Sequence, residues 1–322
     1  EPKTIQTPRP HAKQLPKISP RQPSPLSGKQ WGHKGKGFYF DCHDQRLEIR
    51  YDGVEIASYY YNHPETQRPF FAHVKTPSGI QVTRNFPPIA GKDATDHATM
   101  HPGIWMGFAN LDGISFWHNN AGKVNHIEFP VEPSAGVTAS FAVKNCYLAP
   151  DNRVVCEEWT SYHLIPNKDG FLISIDSRFF GDRPFSFGVK EEMGLGLRVA
   201  SPITVKGGKG SILSATGGKN EKGTWGMIDQ WWDYFGPLGG MSAGVQIMSG
   251  SGNPAVWAHS RDYGVLVANP FPVDRPGNRD KKIAVQPGES FRLKFGVQVH
   301  EHNARENYDP AKAYRRYLNG AK

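Results

Sequence analysis

From residue 38 onward, apolar and polar residues alternate in short segments separated by turn-forming clusters, and this period of two constrains the fold more than any other feature. The run Arg46-Leu47-Glu48-Ile49-Arg50-Tyr51 alternates cleanly, and Asp52-Gly53 leads straight into a second such run. An aspartate followed by glycine is a hairpin signal. Segments 37–42, 46–51 and 54–60 therefore read as a three-strand meander. Further strands are expected over 72–75, 114–117, 138–147, 154–165, 171–179, 187–190, 195–201, 244–248, 255–259, 264–268 and 291–300. Helix signals are scarce. The clearest is a capping Asp309, a first-turn Pro310 and a basic second turn over 311–318. No period of 20–50 residues repeats, which disfavours propellers and solenoids. The expected class is all-β, a large antiparallel, supersandwich-like β-sandwich with one short C-terminal helix.

The formal charge of +8 suggests nucleic acid until it is located along the chain. Eight Lys and Arg against Glu1 alone place +7 of it in residues 1–37, which leaves the rest nearly neutral. Seven prolines between Pro2 and Pro25, with few apolar residues among them, cannot bury enough surface to offset chain entropy. Residues 1–37 are thus expected to be a disordered basic tail, and residues 38–322 a single sandwich domain. Nucleic-acid binding is not expected of the folded part. No apolar run approaches the ~20 residues that span a bilayer. The start at Glu1 suits either a chain whose leader was removed or one that was trimmed. Cys146 and Cys156 stand symmetrically about the turn-like Ala149-Pro150-Asp151-Asn152, so an unbroken hairpin would place them opposite each other. The pair reads either as a disulfide of an oxidising compartment or as two buried thiols.

Reactive side chains gather in segment 84–126: Arg84-Asn85, then Asp96-His97 and His101, then His118 and His126. Histidine donates or accepts a proton near neutral pH with little tuning, so this cluster reads as an acid/base site. His97 and His101 are four apart, a metal-ligand spacing on a helix, but Pro102-Gly103 argues against a helix there. If a divalent metal is held, its ligands would be His97, His101 and a third such as His118, Asp96 or Glu128; otherwise no cofactor is expected. A second group holds carboxylates and an arginine, Glu191-Glu192 and Arg198. A third combines flat aromatics with polar residues: Trp231-Trp232-Asp233-Tyr234, Asn253, Trp257, His259-Ser260-Arg261-Asp262-Tyr263 and Asn269. Sugars have apolar faces and hydroxyl edges, so such a mixture suits a carbohydrate cleft. Walker loops, dinucleotide fingerprints in a strand-to-helix setting and Cys-x-x-Cys pairs do not occur.

The runs Tyr60-Tyr61-Asn62-His63, Arg68-Pro69-Phe70-Phe71, Arg84-Asn85, Asp96-His97, His101-Pro102-Gly103-Ile104-Trp105 and Asp112-Gly113-Ile114-Ser115-Phe116-Trp117 resemble a bacterial family labelled methane oxygenase PmoA-like. The resemblance continues through Gly194 to Arg198, Asp233-Tyr234, Asn253-Pro254, His259, Asn269-Pro270-Phe271 and His300. It departs at Met100-His101-Pro102, where members often carry adjacent histidines and an arginine. The resemblance implies a secreted or periplasmic protein with a sandwich like those of sugar mutarotases and polysaccharide lyases, which use histidine with a carboxylate or tyrosine on sugars. The expectation is a carbohydrate-active enzyme acting on an acidic oligosaccharide or polysaccharide as a lyase or glycoside-cleaving enzyme. His97 or His101 would move the proton and Arg84 would neutralise a substrate carboxylate. Glu192, Asp233 and His259 would bind or act as the second acid/base group. His118, Arg198, Trp232, Tyr234, Asn253 and Asn269 would bind substrate. The alternatives are a carbohydrate-binding module without turnover and, following the label, a metal-dependent oxidoreductase.

Overall fold

Alternation becomes architecture where the apolar face of each strand meets a second sheet. The computed structural model describes residues 24–320. One sheet runs, from edge to edge, Gln30–His33, Lys36–Cys42, Arg46–Tyr51, Val54–Tyr60, Phe70–Ala72, Ile104–Phe108, Met193–Arg198, Val265–Asn269 and Trp257–Arg261. The other runs Ser211–Ser214, Trp231–Leu238, Met241–Ser249, Phe291–His302, Gly170–Phe180, Val154–Asn167, Ala139–Leu148 and Lys123–Glu128, with Ser134–Ala135 beside Ala139–Leu148. A two-stranded ribbon joins Phe185–Phe187 to Ile283–Val285. The all-β sandwich is therefore as expected.

Leu47 and Ile49 from the first sheet, with Phe141, Ile173 and Val297 from the second, belong to one buried core between the layers. Each such side chain contributes about 1.5–3 kcal/mol by leaving water. Arg46, Glu48 and Arg50 take the outward positions of their strand, which explains its legible alternation. Met193–Arg198 is different, because all six residues are buried. Leu195 and Leu197 face the common core, while on the opposite face Gly196 lies under Trp105 and Arg198 reaches Asp96.

The helix spans Pro310–Leu318, and the Asp309 carboxylate accepts the Lys312 N–H at its start. Its Tyr314 and Tyr317 pack on Trp231, Met248 and Leu172, on the outer face of the second sheet. Among the described residues no helix is long and apolar enough to cross a membrane.

Three expectations need correction. Residues 1–23 lie outside the described residues, but the span expected to be tail also contains Gln30–His33, a strand paired with Lys36–Cys42, so the folded part begins before residue 38. Segment 231–238, absent from the expected strands, is a strand whose Trp232 and Tyr234 enter the common core. Cys146 and Cys156 are buried free thiols, as one of the two readings had it, but they do not stand opposite each other. Val154 pairs with Leu148, but a bulge shifts the register before Cys156, which then faces Tyr147 while Cys146 faces Glu157. One residue of slip turns two neighbouring side chains to opposite faces.

Candidate functional site

The site rises from the outer face of the first sheet, where cross-strand neighbours share a face. Trp105 opposes Gly196, Gly196 opposes Val267, and Val267 opposes His259. In the next row Arg198 opposes Val265, which opposes Arg261. Glycine is required at 196, since a Cβ there would lie 2.5 Å from the Trp105 indole that covers it. On that indole His101 stacks at 5.3 Å and 13°, and on His101 stacks His97 at 4.8 Å and 28°. A ladder of three rings thus climbs from the sheet to the surface. Its lower two members are buried, while the His97 side chain is 43% exposed.

His97 occupies the left-handed region at φ 49°, which costs a non-glycine residue about 1–3 kcal/mol. Arg84 holds the loop in that shape. Its guanidinium donates to the carbonyls of Ala94 at 2.8 Å, Asp96 at 2.7 Å, and His97 and His101 at 3.2 Å. Hydrogen bonds to a charged group are worth about 1.5–3 kcal/mol each, enough to offset the strain. Arg84 itself is 2% exposed and faces these carbonyls, so the expected clamp on a substrate carboxylate is instead a brace beneath the loop.

Asp96 organises the rung above. Its carboxylate accepts two bonds from Arg198, at 2.9 and 3.0 Å, and faces Nδ1 of His97 at 2.8 Å. Burial pushes the Asp96 carboxyl up, but the bonds from Arg198 and His97 and the charges of Arg198 and Arg84 outweigh it, leaving the group well below the usual carboxylate range. An ionised Asp96 accepts the His97 Nδ1 proton, which directs the Nε2 lone pair outward. No described residue hydrogen-bonds that nitrogen. Burial first, then the surrounding positive groups led by Arg198, drives His101 down to about 2. His101 is therefore a neutral stacking and bracing ring.

The other half of the site is the hairpin tip Arg261-Asp262-Tyr263-Gly264. The Arg198 guanidinium lies 4.9 Å from the Tyr263 ring centre, which joins the tip to the ladder. Burial pushes the Tyr263 phenol up against the pull of Arg198 and Arg261, while Asp96 and Glu192 act in the same sense as burial. The phenol thus lies within electrostatic reach of both halves. Arg261 pairs with Glu191 at 3.1 Å and Glu221 at 2.9 Å. His259 Nδ1 lies 3.4 Å from Glu191, but it also accepts the Trp225 indole N–H at 3.3 Å, and burial and then Arg261 press it down to about 3. Its Nδ1 is consequently an acceptor and the contact with Glu191 is not an ion pair.

Two expected sugar ligands act as supports. Asn269 donates to the carbonyls of Lys190 at 2.9 Å and Glu191 at 3.1 Å, fixing the Glu191-Glu192 loop. Tyr234 reaches through the core so that its hydroxyl accepts the Val205 N–H and donates to the Arg261 and Asp262 carbonyls. Trp232 is wholly buried in the core. Asn253 ties a turn to Ser249 and the Lys294 backbone. The His118 Nδ1 bonds Ser115 within its own turn, at 2.8 Å.

Asp233 is wholly buried on the outer face of the second sheet, across the sandwich from His259. It binds His300 at 2.8 Å and Arg305 at 2.9 Å and so anchors the C-terminal segment. Asp233 therefore cannot bind substrate or act as a second acid/base group beside His97 and His101. Arg261 and Tyr263 stood in the sequence only as members of the aromatic and polar group suited to a carbohydrate cleft, without roles of their own, and Trp225 carried no signal at all.

One ion could reach Asp96, His97 and His101, whose donor atoms lie within 4.8 Å of one another. His118 and Glu128 are not in that group. Both Asp96 oxygens already hold Arg198, whose Nη1 is also 3.4 Å from His101 Nδ1. A metal would thus have to displace a resident guanidinium.

The profile of a family of unknown function, DUF6807, matches residues 46–313. Its description carries no activity, so the methane-oxygenase label stays a resemblance. No curated protein matches the chain. Among solved structures, a galactose mutarotase-like protein from Clostridium acetobutylicum is similar at 10% identity and TM-score 0.39, over 83% of this chain and 95% of that one. The GH36 α-galactosidase AgaB from Geobacillus stearothermophilus is similar at 12% and 0.36, over 80% of this chain and 40% of that one. The Slr1438 protein of Synechocystis is similar at 14% and 0.32, over 89% and 99%. These likenesses are weak, and nothing about the site rests on them.

Proposed function

The chain belongs to the DUF6807 family, whose function is unknown, and on that premise we propose that it is a carbohydrate-active enzyme that moves protons on a bound sugar through His97. The observation that carries this reading is the Asp96–His97 pair: an exposed imidazole at the head of a ring ladder, its Nδ1 held by a carboxylate that Arg198 keeps ionised. That arrangement is suited to a general base. In the proposed step Nε2 takes the proton of the anomeric hydroxyl, the C1=O bond forms and the C1–ring-oxygen bond breaks. The imidazolium, stabilised by Asp96, then returns its proton to the former ring oxygen. The half-buried rings of Tyr263 and Trp225 offer flat faces, with Glu191, Glu192 and Arg261 as polar edges. Cleavage by β-elimination fits less well, because it needs a cation on the substrate carboxylate and Arg84 is turned inward.

The test is anomer interconversion and product release over a panel of mono- and oligosaccharides, followed by NMR. His97→Gln should lower the rate about 10²–10⁴-fold, the usual contribution of a positioned base, with binding retained. Turnover that survives both His97→Gln and Asp96→Asn would refute the assignment. Binding without any turnover by the parent protein would select the binding-module reading instead.

A further inference from the structure

We infer that this site, on the reading just given, takes uncharged sugars and discriminates against uronates and other acidic saccharides. The reason lies in how its cations are spent. Arg84 gives its donors to four loop carbonyls and is buried. Arg198, also buried, grips both oxygens of Asp96. Arg261 divides its two terminal nitrogens between Glu221 and Glu191. Each of these three guanidiniums therefore spends its terminal nitrogens within the protein, and freeing one would strand a carboxylate or a set of carbonyls.

The surrounding charge points the same way. Beside these three guanidiniums stand Asp96, Glu191, Glu192, Glu221 and Asp262, and Glu192 pairs with no cation among the described residues. Asp262 spends one oxygen on the Glu221 N–H at 2.8 Å. Lys206, on a loop, and Lys222, in the short helix Asn220–Thr224, are both exposed, where water screens an ammonium. A carboxylate entering over Tyr263 would meet Glu192 without a compensating donor. Hydroxyls meet no such penalty, because carboxylate oxygens accept their protons and the aromatic faces take the ring.

The experiment compares matched pairs, galactose with galacturonate and glucose with glucuronate, by ligand-observed NMR and calorimetry at about 20 mM salt, using the full chain. The neutral member should bind at least about ten-fold more tightly. The gap should narrow at about 0.5 M salt, where screening shortens to a few ångströms, and again in Glu192→Gln. Uronates that bind as well as or better than the neutral sugars would overturn the selectivity while leaving a sugar site in place. Absence of binding by either member of both pairs would overturn the functional reading together with it.

Discussion

Replacing Arg84 by Met separates the two roles an arginine could have here. The substitution keeps an apolar stem and removes four charge-assisted hydrogen bonds to the carbonyls of Ala94, Asp96, His97 and His101. At about 1.5–3 kcal/mol each, the gross loss would be about 6–12 kcal/mol. Most of that is recoverable, because Ala94, Asp96 and His97 are exposed and water can reach their carbonyls, whereas His101 is buried. Breaking a buried charged contact typically costs about 3–5 kcal/mol, and that is the expected destabilisation. It is a large share of the ~5–15 kcal/mol that a domain holds in reserve. Urea unfolding at constant m-value measures it. Hydrogen exchange should show the loss of protection concentrated at the His101 amide, which donates to the His97 carbonyl at 3.0 Å. Arg84→Lys should fall between, since one ammonium cannot reach four carbonyls. A change below about 1 kcal/mol, accompanied by loss of sugar turnover, would refute the bracing role and return Arg84 to the substrate.

Two further predictions follow from buried groups. His101 and His259 are held down to about 2 and about 3, whereas the unfolded chain protonates them near 6.5, so stability present above that pH is lost as acid is added. At about 1.4 kcal/mol per pH unit each contributes up to ~2 kcal/mol of loss at pH 5, and unfolding curves for His259→Gln that keep the parental pH slope would count against it. Asp233→Asn should destabilise by about 3–5 kcal/mol through its contacts with His300 and Arg305, with sugar binding per folded molecule unchanged; reduced binding by protein shown to be folded would place Asp233 at the site after all.

What could be read in advance depended on whether a residue's environment is local. Strand 54–60, with four consecutive buried residues, was marked by the Asp52-Gly53 turn before it, whereas strand 46–51 was legible because one face meets water, so its alternation survives. Strand 231–238 was not, because Trp232 and Tyr234 enter the core while Trp231 and Asp233 lie under the C-terminal segment, and a strand buried on both faces loses its period. The bulge before Cys156 left no mark in composition, yet it alone decides that the two cysteines miss each other. Asp96, His97 and His101 fall within six residues, so their proximity was visible. Their partners were not, since Arg198 and the Arg261–Tyr263 tip arrive through a sheet order that places Ile104–Phe108, Met193–Arg198, Val265–Asn269 and Trp257–Arg261 side by side.

That same order explains why arginine was the least readable residue type. A guanidinium satisfies carbonyls, carboxylates or a ligand with equal chemistry, and only the neighbours supplied by the sheet decide among them. Arg84, beside a strained loop, turns inward to its carbonyls. Arg198, one strand away from Trp105, takes Asp96 and in doing so fixes His97. The proposed base is thus set by a residue about a hundred positions distant. Moving Arg198 off Asp96 should disturb His97 more than any change within the loop that carries it.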